Sequence, residues 1–496
     1  MIVDETTDIS TSEQVSFCLR HVDENLTVYE DMVGLYETST TDAATLTAII
    51  EDVVLRLNLS FDNLRAQCYD GASNMSGIHT GVQKRILGLQ PKALYVHCRN
   101  HVLNLALQDA SSVRCVRDVL SLTNDLAAFF RDSAKRTGVL ESAISSAICG
   151  STGAGNRLHP LSPTRWTVRA RALNALLTHY EAVMSALDQL ADDTGPTGAK
   201  AAGFFSKLST FECLFALTIA YKIFSITEQL GTVLQSTTMT LSAAQQSVTD
   251  VVDTLQALRS HTNYAAVWQD VIQTVENLSL LHPQMPRKLR PSARYSDGAT
   301  ANPHEYSDCE SYHRVESWYA FIDITVEQIR ARFSQQSFQH IVNAEELLLQ
   351  AAKGEAFDDC LKQFCLFYDD FDSRLLEAQL HILYSTVTKQ ENVVVSVAGI
   401  AETLNKVPGA KILLGEVWRL TKLLLVVPVS AAAAERSFSA LRRVKSYLRS
   451  TMKQSRLNHV MMLHCHQEKC DLLDLSSVAQ EFISTTEQRM NFFGNF

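Results

Sequence analysis

The sequence predicts an α/β protein in which a mixed sheet near the amino terminus is combined with a long helical region. Over residues 2–112, short runs rich in β-branched and aromatic side chains are separated by amphipathic segments, which is typical of alternating strands and helices. From about Val113, apolar side chains recur at three- and four-residue steps, which indicates helices. Hydrophobic residues make up 46% of the chain and charged residues 20%, as in a globular protein.

The amino-terminal elements follow one another in a simple order. Asp42 is a suitable N-cap for the first helix, whose apolar side chains form one stripe: Leu46, Ile49, Ile50, Val53 and Leu57. In chain order the expected elements are a strand that ends at Ile2-Val3, strands 15–22 and 26–36, a helix 43–57, a strand 64–69, a helix 74–89, a strand 93–97 and a helix 100–109.

This order of elements matches the ribonuclease H-like fold, a mixed sheet with helices on both faces. In that fold the first and fourth strands lie side by side, so residues at their carboxyl ends meet at one edge of the sheet. Asp4 lies at the end of the first strand and Asp70 at the end of the fourth. The fold therefore predicts that these two carboxylates lie close together.

The middle of the chain is expected to be helical with three interruptions. Residues 150–163 read as a Gly/Ser/Pro-rich loop, 191–203 as a turn-rich linker and 282–308 as a polar, Pro-rich loop. The expected helices are 118–131, 164–190, 204–235, 242–259, 315–333, 341–352, 357–364 and 373–383.

The segment 428–466 carries the densest pattern in the chain. Ser430 can cap a helix that starts with four alanines, and Glu435 is the only acid near a run of basic side chains. One helix, or two helices in line, would present an apolar stripe of Leu441, Val444, Leu448 and Met452. A neighbouring face would present a basic stripe of Arg442, Lys445, Arg449, Lys453 and Arg456.

This segment, PVSAAAAERSFSALRRVKSYLRSTM followed by RLNHVMML, resembles the carboxy-terminal signature of hAT-superfamily DNA transposases, and most of all the transposase-derived zinc finger MYM-type proteins. The resemblance implies a ribonuclease H-like core interrupted by a large all-helical insertion. It divides the chain into a first core part (1–112), the insertion (113–405), the last core helices with the dimerisation region (406–470) and a tail (471–496). It also implies a nuclear protein.

The resemblance implies a catalytic triad of Asp4, Asp70 and Glu435, which match the family's Asp-Asp-Glu order. Phosphoryl transfer on DNA uses two divalent ions, and Mg²⁺ or Mn²⁺ prefers carboxylate oxygens. The same residues taken singly read equally well as two turn residues and one helix-surface charge. Asp8 is a competing first ligand.

Three further features are candidates for DNA contacts. The resemblance implies that His101, in the sequence Cys98-Arg99-Asn100-His101, contacts DNA near the cut, although a buried turn histidine fits as well. It also implies that Arg165 and Trp166 hold an unpaired base, whereas Trp166 could equally pack at a helix start. Arg442, Lys445, Arg449 and Lys453 could follow phosphates, or form a solvated face beside a dimer seam.

Bulk properties limit the partners and cofactors. A net charge of −10 restricts any DNA contact to a local basic patch. The eleven cysteines lack regular spacing, which favours reduced thiols of the cytoplasm or nucleus. We expect no zinc, because Cys98 and His101 lack a clear second ligand pair. The start MIVDETTD does not read as a signal peptide, and no apolar stretch of about 18 residues suggests a membrane.

Three functions remain open at this stage. The first is a transposase-derived protein that self-associates through 428–466 and has a weakened or inactive DNA-cleaving core, since no zinc-finger DNA reader precedes Asp4 and the first strand looks short. Such a chain reads as a remnant or a truncated gene product. The second is a domesticated dimerisation or interaction module without chemistry. The third is a zinc-stabilised scaffold that uses Cys98, His101 and Cys465.

Overall fold

The computed structural model describes residues 1–147, 158–161, 169–285, 306–334, 339–389 and 396–494. They form two compact units. The sheet unit contains Met1–His101, Thr237–Ser242 and Gln336–Phe496, and the helical unit contains Val102–Ser236 and Ala243–Gln335. The sheet unit thus includes helices after residue 338 that the sequence assigned to the insertion, and the domain boundaries given above stay a prediction.

The five strands form one mixed sheet, as the sequence predicts. They are β1 (Ile2–Thr7), β2 (Glu13–Val22), β3 (Val28–Thr38), β4 (Ala66–Tyr69) and β5 (Leu94–His97). Their order across the sheet is β3-β2-β1-β4-β5. The pairs β1–β2 and β2–β3 are antiparallel, whereas β1–β4 and β4–β5 are parallel. Because β1 lies inside the sheet and pairs with β2 over all six residues, it is not the frayed strand that its short sequence suggested.

Helices make up most of the rest of the described chain. They are α1 (Ala43–Arg56), α2 (Ser73–Ser76), α3 (Val82–Leu89), α4 (Arg99–Ala110), α5 (Arg114–Arg131), α6 (Ala134–Ala147), α7 (Arg169–Thr178), α8 (Tyr180–Ala191), α9 (Pro196–Leu208), α10 (Phe211–Leu234), α11 (Leu241–Leu258), α12 (His261–Asn277), α13 (Cys309–His313), α14 (Ala320–Phe333), α15 (Gln339–Lys353), α16 (Asp358–Phe367), α17 (Ser373–Thr388), α18 (Val397–Lys406), α19 (Ala410–Leu413), α20 (Gly415–Val426), α21 (Ala432–Val444), α22 (Gln454–Cys465), α23 (Gln467–Cys470), α24 (Leu475–Ser484) and α25 (Glu487–Phe493). Short turns of 3₁₀-helix cover Phe61–Asn63 and Tyr447–Arg449, and Arg314–Tyr319 is π-helical.

The predicted start of α1 is confirmed, and its predicted apolar stripe is confirmed in part: Ile49 is only partly buried, and Leu57, just after the helix, is 40% exposed. The carboxylate of Asp42 accepts hydrogen bonds from the backbone N–H groups of Ala44 and Thr45, both at 3.0 Å. Leu46, Ile50 and Val53 are buried against one face of the sheet. Burial of such a face supplies most of a helix's stability in a protein.

The prediction of a single helix over 74–89 is wrong, because two glycines pack closely together between α2 and α3. A Cβ atom on Gly81 would lie 2.5 Å from the backbone nitrogen of Gly77. Gly77 ends α2 and Gly81 precedes α3, so the chain turns where their backbones touch. Only glycine permits so close an approach.

The turn-rich linker predicted over 191–203 is also wrong, because α9 begins within it. Pro196 occupies the first turn of α9, where its missing N–H would have no helical partner in any case. Gly195 precedes it with a φ of +90°, which favours glycine. The proline and glycines that suggested a linker therefore mark a helix start.

The longest described helix, α10, is the apolar centre of the helical unit. It packs against α5, α7 and α12, and more than half of its most apolar stretch is buried. By length and composition it could also cross a membrane, contrary to the expectation that no stretch was long enough. This is weak evidence for a membrane span, because the core helices of soluble proteins often have the same length and composition. Lack of membrane contact stays a prediction.

The carboxy-terminal signature does not form one helix or two helices in line. Helix α21 ends at Val444, and Lys445 leaves the helical conformation with φ −95° and ψ 77°. Leu448, expected in the buried stripe, is 91% exposed. Ser430 is not the cap, because the N-cap position is Ala431 and no side chain caps α21.

Candidate active site

The register of the sheet places Asp4 and Asp70 beside each other. In the parallel pair β1–β4, Ile2 is opposite Cys68. Asp4 and Asp70 each come two residues later, Asp70 directly after the end of β4, and the charge of Asp70 is near enough to raise the pKa of Asp4. Side chains at the same level of parallel strands point to the same face.

That face is the one covered by α21. Val3 and Tyr69 belong to the core on the opposite side of the sheet, so Asp4 and Asp70 point away from that core. Ser16, which pairs with Asp4 across β1–β2, has its hydroxyl 2.8 Å from the hydroxyl of Ser437 on α21. Glu435 lies in the first turn of the same helix.

Two sets of bonds hold the first turn of α21 in place. Before the helix, the carbonyl of Val429 accepts from the N–H of Arg99 at 3.0 Å, and the N–H of Ala431 lies 3.2 Å from Sγ of Cys98. These bonds tie the start of α21 to the end of β5. Glu435 therefore comes to the sheet edge on a fixed backbone.

An ion network with a buried centre anchors the following turn. Arg436, next to Glu435, binds one oxygen of Glu30 on β3 at 2.8 Å. The other oxygen of Glu30 binds the buried Arg20 on β2, also at 2.8 Å. Arg20 in turn donates to the carbonyl of Leu425 at the end of α20 at 2.9 Å.

The electrostatics of Asp4 reflect the convergence of three acids. Burial raises the pKa of Asp4 well above its usual range, and the nearby carboxylates of Asp70 and Glu435 raise it further. A hydrogen bond of 2.9 Å from the N–H of Glu5 opposes this only in part. Asp70 accepts from the N–H of Ala72 at 3.0 Å. Like charges brought together this way favour a bound proton or cation.

The donor set fits a divalent cation by chemistry more than by present geometry. Three carboxylates supply the hard oxygen ligands that Mg²⁺ and Mn²⁺ prefer. Within the described parts of the chain, however, no three His, Cys, Asp or Glu side chains are already grouped closely enough to hold a metal ion. Asp4, Asp70 and Glu435 are therefore candidate ligands on the chemistry of their donor atoms alone.

Asp8, the competing first ligand, is fully engaged elsewhere. Its carboxylate binds the ammonium of Lys445 at 2.5 Å, and it accepts from both the N–H and the hydroxyl of Ser10. Burial acts to raise the pKa of Asp8, but the bonds from Lys445 and Ser10 outweigh it and lower the pKa to about 2. A carboxylate so occupied is poorly suited to bind a metal.

The same ion pair corrects the predicted basic stripe. The side chain of Lys445 is only 5% exposed, so it cannot follow a DNA backbone from the surface. Arg442, Arg449 and Lys453 are exposed. The predicted pair Arg165 and Trp166 lies outside the described residues.

Histidine side chains lie at the same edge of the sheet. The rings of His97, at the end of β5, and His101, on α4, are 5.7 Å apart between centroids. A Cβ atom on Gly71 would lie 2.7 Å from Nε2 of His97, so His97 packs directly beside the residue that follows Asp70. The sequence analysis singled out His101 but not His97, although a histidine that ends a strand at this edge could have been noticed.

The groups proposed for a zinc scaffold have other contacts. Cys98 is buried against Ala431, and burial, followed by the charge of Glu435, raises its pKa to about 12. Nε2 of His466, next to Cys465, lies 2.8 Å from the carbonyl oxygen of Met32. Every cysteine in the described ranges is a free thiol.

Two family models match the chain at its two ends. Residues 1–81 match the family described as "ZMYM1/FAM200, RNase-like domain", and residues 409–468 match the "hAT family C-terminal dimerisation region". The first match includes Asp4 and Asp70, and the second includes Glu435. The predicted resemblance to hAT-derived proteins and the predicted ribonuclease H-like α/β fold are both confirmed.

The chain is also similar along most of its length to two curated proteins. The human protein named "52 kDa repressor of the inhibitor of the protein kinase" is 24% identical over 487 residues, which are 96% of this chain and 62% of that protein. The mouse protein of the same name is 24% identical over 488 residues, which are 96% and 63% of the two chains. The chain thus spans less than two thirds of the length of these relatives.

Proposed function

We propose that this chain is a self-associating, hAT-transposase-derived nuclear protein. Its sheet edge would keep an ancestral site for metal-dependent DNA cleavage and strand transfer, weakened or inactive compared with a working transposase. The observation that carries this proposal is geometric: the register of β1 and β4 and the anchored start of α21 bring Asp4, Asp70 and Glu435 to one face of one sheet edge. The raised pKa of Asp4 supports it.

Asp4, Asp70 and Glu435 would hold the cation, Mg²⁺ or Mn²⁺. When bound, such ions activate an attacking oxygen and stabilise a leaving oxygen of the phosphodiester. The protein's own part is to position the ligands and to control their protonation. Burial and the neighbouring carboxylates raise the pKa of Asp4, so a proton and a cation would compete for it, and the bond from the N–H of Ala72 orients Asp70.

Neighbouring side chains would orient DNA at the same edge. His97 packs beside Gly71, the residue after Asp70, and the ring of His101 lies 5.7 Å from that of His97, so both would contact a phosphate or base held at this edge. Arg442, Arg449 and Lys453 are exposed cations that would attract the DNA backbone more weakly as salt rises. Arg165 and Trp166 remain candidates for holding an unpaired base.

Catalysis tolerates little misplacement, so a small departure of these three carboxylates from ligating geometry would be enough to slow turnover. Self-association is proposed from the match to the dimerisation region over residues 409–468.

Nicking of supercoiled plasmid with Mn²⁺ at low salt tests the proposed chemistry. The unmodified chain should nick, whereas Asp70→Asn and Glu435→Gln should not. Glu468→Gln, a change at an exposed acid away from the site, is the matched control and should nick like the unmodified chain. Equal nicking by all four proteins would contradict the assignment of these acids.

The second candidate function is a domesticated interaction module without chemistry. The relatives carry the printed name of a repressor of a kinase inhibitor rather than of a nuclease, which favours this alternative. An absence of nicking by a folded, self-associated protein would support the module and exclude retained DNA cleavage.

A further inference from the structure

An open apolar groove lies beside α22 in the sheet unit. It has a volume of about 810 Å³. Its apolar lining comes from β2, β3, the end of α1 and α22, and includes Leu19, Val33, Leu57, Leu59, Met462 and Leu463. Solvent-exposed apolar surface of this kind often marks an association site.

The wall of this groove is rigid because α22 is fastened to the edge strand β3. The side-chain amide of Asn458 both accepts from the N–H of Leu35 at 2.7 Å and donates to its carbonyl at 2.8 Å. Gln454 donates to the same carbonyl at 2.8 Å. These bonds cover backbone groups that an edge strand would otherwise expose. Met462 and Leu463 thus form a preformed surface.

The tail that follows presents a matching apolar face. Leu475, Val478 and Phe482 recur at three- and four-residue steps on α24, and all three are exposed, Leu475 to 77%. Helix α24 packs against α25, where the ring of Phe493 lies 6.1 Å from that of Phe482. The guanidinium of Arg489 on α25 also lies 4.0 Å from the centroid of the Phe482 ring, so α25 covers one side of Phe482 while Leu475 and Val478 stay exposed.

The tail starts at the rim of the groove. Lys469 and Cys470 line the groove, and only residues 471–474 separate them from α24. The tail is acidic, with Asp471, Asp474, Glu481 and Glu487 against one arginine. Asp31 is the only acid that lines the groove, and it is paired with Lys469 at 2.8 Å, so the groove does not repel an acidic helix.

We propose that two copies of this chain exchange these surfaces: α24 of each copy packs Leu475, Val478 and Phe482 into the groove of the other. The groove wall lies in the matched dimerisation region, and the tail lies just beyond it. A reciprocal exchange buries the pair of surfaces twice and closes the assembly as a dimer. The inference rests on the proposed self-association and specifies its surface.

The test uses matched pairs of aspartates in the full chain. Leu475→Asp with Val478→Asp removes the apolar face of α24, and acids near a helix start do not oppose the helix. The control is Ser476→Asp with Gln480→Asp, which adds the same charge to other faces of α24. Leu463→Asp places a charge in the apolar lining of the groove. Its control is Ser455→Asp, which adds the same charge to the exposed surface of α22. Mass is measured by light scattering after size exclusion, and folding by circular dichroism.

The proposal predicts the mass of two chains for the unmodified protein and both controls, and of one chain for the tail and groove variants. Mixing the tail variant with the groove variant should restore a dimer in part, because one intact tail then meets one intact groove. Dimers in every variant would overturn the exchange and leave self-association standing. A monomeric unmodified protein would overturn both the exchange and self-association. A tail that fills the groove of its own chain would give this result.

Discussion

Nζ of Lys445 lies 2.5 Å from Oδ2 of Asp8, and both side chains are buried. This contact joins the residue that ends α21 to the turn between β1 and β2. It explains why the carboxy-terminal signature bends after Val444, and it fixes the helix that carries Glu435 to the strand that carries Asp4.

Lys445→Met should destabilise the fold by about 3–5 kcal/mol, because it leaves the charge of Asp8 buried without its partner. Chemical denaturation measures the change. The double variant with Asp8→Asn should recover much of the loss, since no uncompensated charge remains. A loss below about 1 kcal/mol for Lys445→Met, as for an exposed pair, would contradict the burial described here.

Acid should weaken the same connection. Bonding to Lys445 and Ser10 outweighs burial and lowers the pKa of Asp8 to about 2 in the folded state, below the value of about 3.9 for an unfolded aspartate. The stabilisation is therefore fully present above about pH 4 and is lost as the pH falls towards 2. Denaturation midpoints measured between pH 6 and 3 should fall less in the Asp8→Asn variant than in the unmodified chain.

Gly81→Ala should destabilise the sheet unit, because its Cβ atom would meet backbone atoms of Gly77 at 2.5 Å or little more. We expect a loss on the order of 2 kcal/mol. Gly88→Ala in α3 is the matched control: no atom lies within 4 Å of its Cβ, so it should gain about 0.5–1 kcal/mol. If Gly77 and Gly81 approach each other this closely, thermal unfolding should show a lower unfolding temperature for Gly81→Ala and a higher one for Gly88→Ala than for the unmodified chain.

Asp4→Asn should stabilise the metal-free protein at pH 7. Burial and the charges of Asp70 and Glu435 raise the folded-state pKa of Asp4, so the ionised form opposes folding at neutral pH. We expect a gain on the order of 1 kcal/mol that disappears as the pH falls below the unfolded pKa of Asp4. Destabilisation by this change, measured by denaturation in chelator, would mean that Asp4 is held by favourable contacts and not strained by its neighbours.

Much of the sheet could be predicted from the sequence because its signals are local. Alternating strands, the cap at Asp42 and the order of elements each depend on nearby residues, and together they place Asp4 and Asp70 on neighbouring strands. The family resemblance then adds Glu435.

Other features depend on contacts between residues far apart in the chain, which periodicity does not reveal. Leu448 fits the apolar stripe by spacing, yet it is exposed because Lys445 leaves the helix to meet Asp8. Lys445 also fits the basic stripe by spacing, yet it is buried because it pairs with Asp8. Pro196 and Gly195 suggest a linker by composition but start α9.

Titration of the unmodified chain with Mn²⁺, followed by calorimetry or by the electron paramagnetic resonance of the free ion, tests the central claim most directly. The account predicts saturable binding that is weakened at least about tenfold, or roughly 1.4 kcal/mol, by Asp4→Asn, Asp70→Asn and Glu435→Gln alike, and is unchanged by Glu468→Gln. Binding that is equal in all five proteins, or absent from the unmodified chain, would contradict a metal site formed by these three acids.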